Sequence, residues 1–352
     1  MIKNIYIIIS ILIILTIITL ILLSFFSKYY NGNKSDHFDG TYFLDPVKNN
    51  NKNFIDFFKW QATKRNTSWP KNIEVEKYDT PPPIVKGNRL RVSNIGHTTF
   101  LIQTQGINIL TDPIWENRAS PFSFIGPKRI IDPGIKFENL PKIDVVWISH
   151  NHYDHLDIKT IERLWNKDKP RIITPLGNDT IIHSYNKNIT VETVDWHRML
   201  SISPQVKFHF TPMQHWSARG ILDKNKALWA ALTIETSGGN IYFVGDSGYG
   251  NGRYFKQDKE KFGNFRLALL PMGAYEPRWF MKYAHMNPEE MLKAYEDLGQ
   301  PYTIPSHYDV FKLTDEGIGE AVEKLKIAME ERNSGENIRI LKVGEFFEVP
   351  KL

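Results

Sequence analysis

The stretch SHNHYDHLD, residues 149–157, decides how the chain is read. His150, His152, Asp154 and His155 fall together there, directly after the apolar run Val145-Val146-Trp147-Ile148. Imidazole and carboxylate are borderline-to-hard donors suited to zinc or manganese. A turn that fans out four of them at the end of a buried strand can serve two ions at once. A solvated His-rich loop is the competing reading, but such a loop seldom arrives as H-x-H-x-D-H directly behind a hydrophobic strand.

Working outward, further ligands are expected where other apolar strands end, because sites in sheet-based enzymes are assembled from loops on a rigid scaffold. Three positions fit. The alternating run Val206–Thr211 leads into Gln214-His215-Trp216, Ile241-Tyr242-Phe243-Val244 into Gly245-Asp246-Ser247-Gly248, and residues 302–305 into Ser306-His307. Taken singly, His215 is as readily a capped loop histidine, Asp246 a turn carboxylate in Gly-Asp-Ser-Gly, and His307 ordinary. Their joint recurrence behind strands makes them candidates. His97, His183, His197 and His209 read as structural, with His97 in Gly-His-Thr the one to watch.

The 352 residues suffice for one large domain or two ordinary ones, and 41% hydrophobic with 24% charged residues is a globular composition. The net charge of +5 is scattered without a basic stripe, so no nucleic-acid partner is expected. The chain has no cysteine, which excludes disulfides, thiolate metal sites, a cysteine nucleophile and a lipoprotein anchor.

Residues 5–27 carry no charge and are dominated by Ile, Leu and Phe, and about 20 such residues span a bilayer as a helix. A cleavable signal has a shorter apolar run and small residues of A-x-A type, absent here. Residues 1–27 are therefore expected to form an uncleaved, single-pass membrane anchor. Its sidedness is open, since Lys3 faces Lys28, Lys34 and Lys48 across the span. Residues 28–88, punctuated by Asn49-Asn50-Asn51 and Pro81-Pro82-Pro83, read as a linker and an arm packed on the main domain. Its aromatic patch Phe54, Phe57, Phe58 and Trp60 is expected to pack into the core, with contact to a membrane as its other reading.

Residues 89–352 read as one α/β or α+β domain, strands first and helices later, with helices outside two sheets. Asn287-Pro288-Glu289-Glu290 has the form of a capped helix start, and Ile318, Ala321, Val322, Leu325 and Met329 share one helical face.

H-x-H-x-D-H followed at long spacing by His215, Asp246 and His307 resembles the metallo-β-lactamase superfamily. TDPIWENRASPFSFIGPKR (111–129), ISHNHYDHLD (148–157), QHWSARG (214–220), GDSGY (245–249) and GAYEPRWFMKYAHMNPEE (273–290) resemble, more narrowly, its N-acylphosphatidylethanolamine-hydrolysing phospholipase D family. The resemblance implies a metallo-β-lactamase-like αβ/βα sandwich with two Zn2+ at the sheet edge. One ion would be held by His150, His152 and His215, the other by Asp154, His155 and His307, with Asp246 bridging. Asp112 resembles the superfamily's buried carboxylate that orients a ligand histidine; a turn aspartate before Pro113 is its other reading.

The implied activity is hydrolysis of a lipid phosphodiester by a metal-bridging hydroxide, releasing an N-acylethanolamine and phosphatidic acid. Asp246 and Asp154 would be catalytic as ligands. His285 would polarise the phosphate or assist the leaving group, or be structural beside Tyr283 and Met286. Tyr153, Arg278 and Tyr275 are candidate substrate-binding residues, although Arg278 serves equally as an internal salt bridge to Glu276 or another carboxylate. The partners expected are a phospholipid substrate and a membrane, with a homodimer left open. The competing activity is that of a lactonase or other superfamily hydrolase on a soluble substrate.

Overall fold

A computed structural model describes residues 2–26, 29–45, 52, 54–65, 67–220 and 222–351, with side chains over 5–19 of the first run and 55–65 of the fourth. In chain order the elements are α1 (Ile2–Phe26), α2 (Phe54–Thr63), β1 (Leu90–Gly96), β2 (Thr99–Thr104), β3 (Ile107–Thr111), β4 (Val145–Trp147), α3 (Ile158–Asp168), β5 (Arg171–Pro175), α4 (Asn178–Tyr185), β6 (Val191–Val194), β7 (Met199–Ser203), β8 (Val206–Thr211), β9 (Ala231–Thr236), β10 (Asn240–Phe243), α5 (Arg253–Phe262), β11 (Phe265–Pro271), α6 (Arg278–Met281), α7 (Pro288–Asp297), β12 (Tyr302–Ser306), α8 (Glu320–Arg332) and β13 (Phe346–Glu348).

Strands pair into a seven-stranded sheet, β13-β1-β2-β3-β4-β5-β6, and a six-stranded sheet, β12-β11-β10-β9-β8-β7. In both, an antiparallel part passes into parallel strands, β3 to β6 in the first and β10 to β12 in the second. The side-chain period of two explains the layering. Phe100, Ile102, Ile109, Val145, Trp147 and Ile173 face inward and meet Phe208, Phe210, Leu232, Ile234 and Phe243 of the second sheet. Their neighbours Leu101, Leu110, Val146 and Ile172 face outward and are covered by Ile158, Ile161 and Leu164 of α3. Each such side chain contributes about 1.5–3 kcal/mol by burial. On the far side, α7 packs on β11 and between α5 and α8. The result is the αβ/βα sandwich that the sequence led us to expect.

Local chemistry sets the helix ends. Asn287 caps α7 in a full capping box with Glu290, and Pro288 takes the first helical position. α8 starts two residues later than the apolar spacing suggests. Gly319 at φ 77 breaks the backbone before Glu320, so Ile318 lies outside the helix.

The N-terminal regions differ from expectation in two respects. Side chains of α1 are described over 5–19 only, and among the described residues no helix is long and apolar enough to cross a membrane. The single-pass anchor expected over residues 1–27 is thus not supported by the described residues. The aromatic patch does not bury as a unit. Trp60 does, stacked 5.2 Å from Phe280 with its indole donating to Asp315 at 3.1 Å. Ile55, Phe57 and Phe58 are exposed at 77%, 42% and 67%, since so short a helix turns only one stripe inward. The side chain of Phe54 lies outside the described residues.

Residues 29–45 pack against the second sheet. Phe38 and Phe43 are buried in the main core, and the Phe43 amide donates to Asn225 O at 2.7 Å. His37 stacks 4.7 Å from Trp196, its ring nitrogens 2.6 Å from Asp36 and 2.7 Å from Asp195.

Candidate metal centre

The motif loop leaves β4 and turns at once into α3. Asp157 stops it by capping that helix, its side chain accepting from the Lys159 and Thr160 amides. Between strand and cap, His150, His152, Asp154 and His155 are held in a tight loop, with the His155 and Leu156 amides both bonded to His152 O. His215 follows β8, Asp246 follows β10 and His307 follows β12, so the far ligands come from the second sheet.

Two glycines make this convergence feasible. A Cβ on Gly245 (φ 74) would stand 2.4 Å from Ser149 Oγ, and one on Gly273 would stand 1.7 Å from His307 O. Only glycine lets these backbones approach the ligand loops so closely. Asp112 and His307 themselves hold positive φ values of 35° and 66°. Left-handed backbone at non-glycine residues costs about 1–3 kcal/mol each and persists where surrounding packing imposes it.

The described residues contain three overlapping groups of metal-ligand type, one of them Asp246, His285 and His307, which shares members with the two main groups. Of the main groups, His150, His152, His215 and Asp246 form one; Asp154, His155 and His307, joined by His97, form the other. In the first, His152 Nδ1 lies 2.9 Å from His150 Nε2 and 3.3 Å from His215 Nε2. Tetrahedral zinc with Zn–N bonds near 2.0–2.1 Å sets ligand atoms about 3.3 Å apart, so these spacings fit a shared ion. In the second, His307 Nε2 lies 3.3 Å and His155 Nε2 3.5 Å from Asp154 Oδ2. Asp246 stands between the groups: Oδ2 is 3.2 Å from His155 Nε2 and 3.8 Å from His215 Nε2, and Oδ1 is 3.0 Å from His307 Nε2.

Three of the remaining ring nitrogens are fixed from outside, whereas His152 Nε2 and His307 Nδ1 are buried without a partner. His155 Nδ1 bonds Asp112 Oδ2 at 2.7 Å, His215 Nδ1 bonds Ala284 O at 2.9 Å, and His150 Nδ1 meets Ser149 Oγ at 2.9 Å. Such outer bonds set tautomer and ring orientation and leave the inner nitrogen free to ligate. Inside, His155 Nε2, His307 Nε2 and Asp246 Oδ1 are buried without a hydrogen-bond partner. Buried polar atoms left this way call for a cation. An all-nitrogen and oxygen donor set suits zinc or another borderline divalent ion.

Protonation equilibria agree. Burial drives His150 well below its usual value, His152 to about 4 and His215 to about 3, so these rings are neutral and ready to ligate. Burial also opposes the charge of Asp246, yet the imidazoles of His307, His155 and His285 hold it well below the usual carboxylate range. Burial acts to lower His307, but Asp246 and Asp154 outweigh it and raise the ring to about 9. The two carboxylates thus collect positive charge, as protons or as metal.

The other candidate residues divide by position. His285 sits beside the ligands, Nδ1 3.7 Å from Asp246 Oδ2 and buried without a partner. Arg278 pairs internally with Glu290 (2.5 Å), one of the carboxylates its internal-pair reading left open; it also donates to His285 O at 2.9 Å. Tyr275 is fully buried, with Lys324 Nζ 4.9 Å above its ring, which removes it from any substrate surface in this conformation. Tyr153 is half-buried, its hydroxyl donating to Arg219 O at 3.0 Å.

Two residues stood outside the candidate site set. Arg219, inside QHWSARG, donates to Leu156 O at 2.7 Å and Asn151 O at 3.1 Å and so pins the motif loop from the far side. His97, read as structural, lies against Asp154. Its signal was the one used for the other ligands, a histidine where a strand ends.

A Beta-lactamase superfamily domain matches residues 107–308, more than half of the chain. The chain belongs to the metallo-β-lactamase superfamily. It is 35% identical over 270 residues to an N-acyl-phosphatidylethanolamine-hydrolyzing phospholipase D of Caenorhabditis elegans, covering 72% of this chain and 74% of that one. A mitochondrial protein of the same description from Saccharomyces cerevisiae is 35% identical over 251 residues, covering 70% of this chain and 53% of that one. Among solved structures, a possible metal-dependent hydrolase from Veillonella parvula superposes with a TM-score of 0.59 at 15% identity, covering 74% of this chain and 99% of that one, which speaks to the superfamily fold alone. The protein is a metal-dependent hydrolase of the superfamily, and its His/Asp clusters can bind metal.

Proposed function

We propose that the protein is a two-zinc phosphodiesterase of phospholipase D type, cleaving N-acylphosphatidylethanolamine-like lipids into an N-acylethanolamine and phosphatidic acid. The observation that carries the reading is the position of Asp246 between two ligand groups, beside the loop GAYEPRWFMK. His150, His152 and His215 would hold one ion and Asp154, His155 and His307 the other. Two divalent ions there would supply an activated water and neutralise charge on the phosphoryl oxygens.

The chain's own residues account for the rest. His285 places an unpaired imidazole nitrogen beside Asp246; burial lowers the ring to about 3, so it is neutral and would act there by accepting a proton or a hydrogen bond. Arg278, paired with Glu290, holds the backbone of His285 in place. A lipid substrate is supported by large apolar side chains exposed beside the site. Phe122, Phe124 and Ile125 are 53%, 77% and 59% exposed, on a loop whose Ala119 packs with Phe311 and Tyr153. Phe58 and Trp279 are exposed on the α2 and α6 side. Membrane attachment through residues 5–27 belongs to the same proposal and rests on their sequence alone.

The test supplies the purified full chain with N-acylphosphatidylethanolamine, unmodified phosphatidylethanolamine and simple lactones, with products identified by mass. N-acylethanolamine and phosphatidic acid in equal amounts are expected. Lactone turnover without phosphodiester turnover would overturn the proposal in favour of the soluble-substrate reading, and release of the protein by a carbonate wash would overturn the attachment.

A further inference from the structure

His97 occupies the turn between β1 and β2, 3% exposed and at φ 60, a backbone region that costs energy for any residue with a Cβ. The turn is tied directly to a ligand: the His307 amide donates to His97 O at 3.0 Å, and the two rings lie 4.0 Å apart. Phe311 closes the outer side edge-on at 5.3 Å. So confined, the ring sets Nε2 2.9 Å from Asp154 Oδ2, while its Nδ1 is buried with no partner. An ionised carboxylate only accepts, so Nε2 carries the proton in this contact.

We propose that His97 is a positioning residue that holds the Asp154 carboxylate toward the ion shared with His155 and His307, and so fixes the occupancy of that one site. The inference rests on the two-metal reading above. Its logic mirrors the Asp112 to His155 pair: there a carboxylate orients an imidazole ligand, and here an imidazole orients a carboxylate ligand. Without the bond, Asp154 can rotate about its terminal torsion, whose preferences are broad. The group formed by His150, His152 and His215 has no contact with His97 and keeps its ion.

The experiment measures zinc stoichiometry and the two stepwise affinities by chelator competition, in the full-length protein and in His97→Asn and His97→Gln. Asn accepts a positive φ readily but is too short to reach Asp154. Gln reaches about as far as Nε2, and this chain already carries glutamine at positive φ at Gln105 and Gln300. His97→Asn should weaken one zinc equivalent about 10- to 100-fold and leave the other within about threefold. His97→Gln should restore most of the loss. Thermal unfolding of the metal-free proteins should be the same for all three. Two unchanged affinities in His97→Asn, equal weakening of both equivalents, or failure of Gln to rescue would overturn the role of His97. An unmodified protein that binds fewer than two equivalents would overturn the two-metal reading itself.

Discussion

Asp112 Oδ2 lies 2.7 Å from Nδ1 of His155, and the same carboxylate accepts from both the amide and the hydroxyl of Ser149 at 2.7 Å. One buried side chain therefore fixes the ring of a ligand and the first residue of the loop that carries four ligands. This contact spans from the end of β3 to the end of β4, neighbouring parallel strands.

Replacing Asp112 should expose that dependence. Asp112→Ala leaves His155 Nδ1 and the Ser149 donors unpaired in a buried setting, at about 1–3 kcal/mol per group. Zinc affinity should fall about 10- to 100-fold, read by chelator competition. Unchanged affinity would mean that the ring of His155 is held by other contacts.

Asp246 touches both ligand groups, so its loss should disable both functions of the site together. Asp246→Asn keeps shape but removes the charge that balances His155 and His307. Activity should drop at least about a hundredfold, with circular dichroism unchanged. Full activity in this variant would remove Asp246 from between the ions.

The latch between the N-terminal segment and the second sheet is expected to respond to pH. Hydrogen bonding to Asp195 raises His37, against the lowering effect of burial, and Asp36 adds to the rise. A raised histidine contributes stability that is complete below its unfolded value of about 6.5 and lost as pH climbs through the folded value. Unfolding free energy should therefore decline on the alkaline side of neutrality, and His37→Gln should flatten that decline. Identical urea midpoints across pH 6 to 9 for both proteins would argue against the latch.

Exposed aromatic residues near the site should matter for substrate presented in a bilayer and not for a soluble one. Phe122→Ser with Phe124→Ser should lower turnover of lipid in vesicles at least about a hundredfold, since removing exposed aromatics forfeits about 1.5–3 kcal/mol each when they would otherwise bury. Turnover of a short-chain soluble phosphodiester should be unaffected. Equal loss on both substrates would place these residues in folding and not at the lipid surface.

Several features were legible in the chain because they depend on local chemistry. Four ligands behind Val145–Trp147, the capping box at Asn287 and the period-two strands all follow from neighbours in sequence. The candidate ligands His215, Asp246 and His307 were also visible, since each follows an apolar strand, and the structure brings them together with the motif loop. The sequence by itself thus determined the donor types, the strand ends that deliver them and the absence of any cysteine chemistry.

Tertiary structure alone decided which groups meet. That His97 backs Asp154, that Arg219 pins the motif loop, that Arg278 pairs with Glu290, and that Phe57 and Phe58 face outward while Trp60 turns in all depend on distances across the sandwich. The physical reason is common to these cases. A histidine or arginine has the same local preferences as a ligand, an orienting partner or a salt bridge, and only the packing of one sheet on the other selects among them.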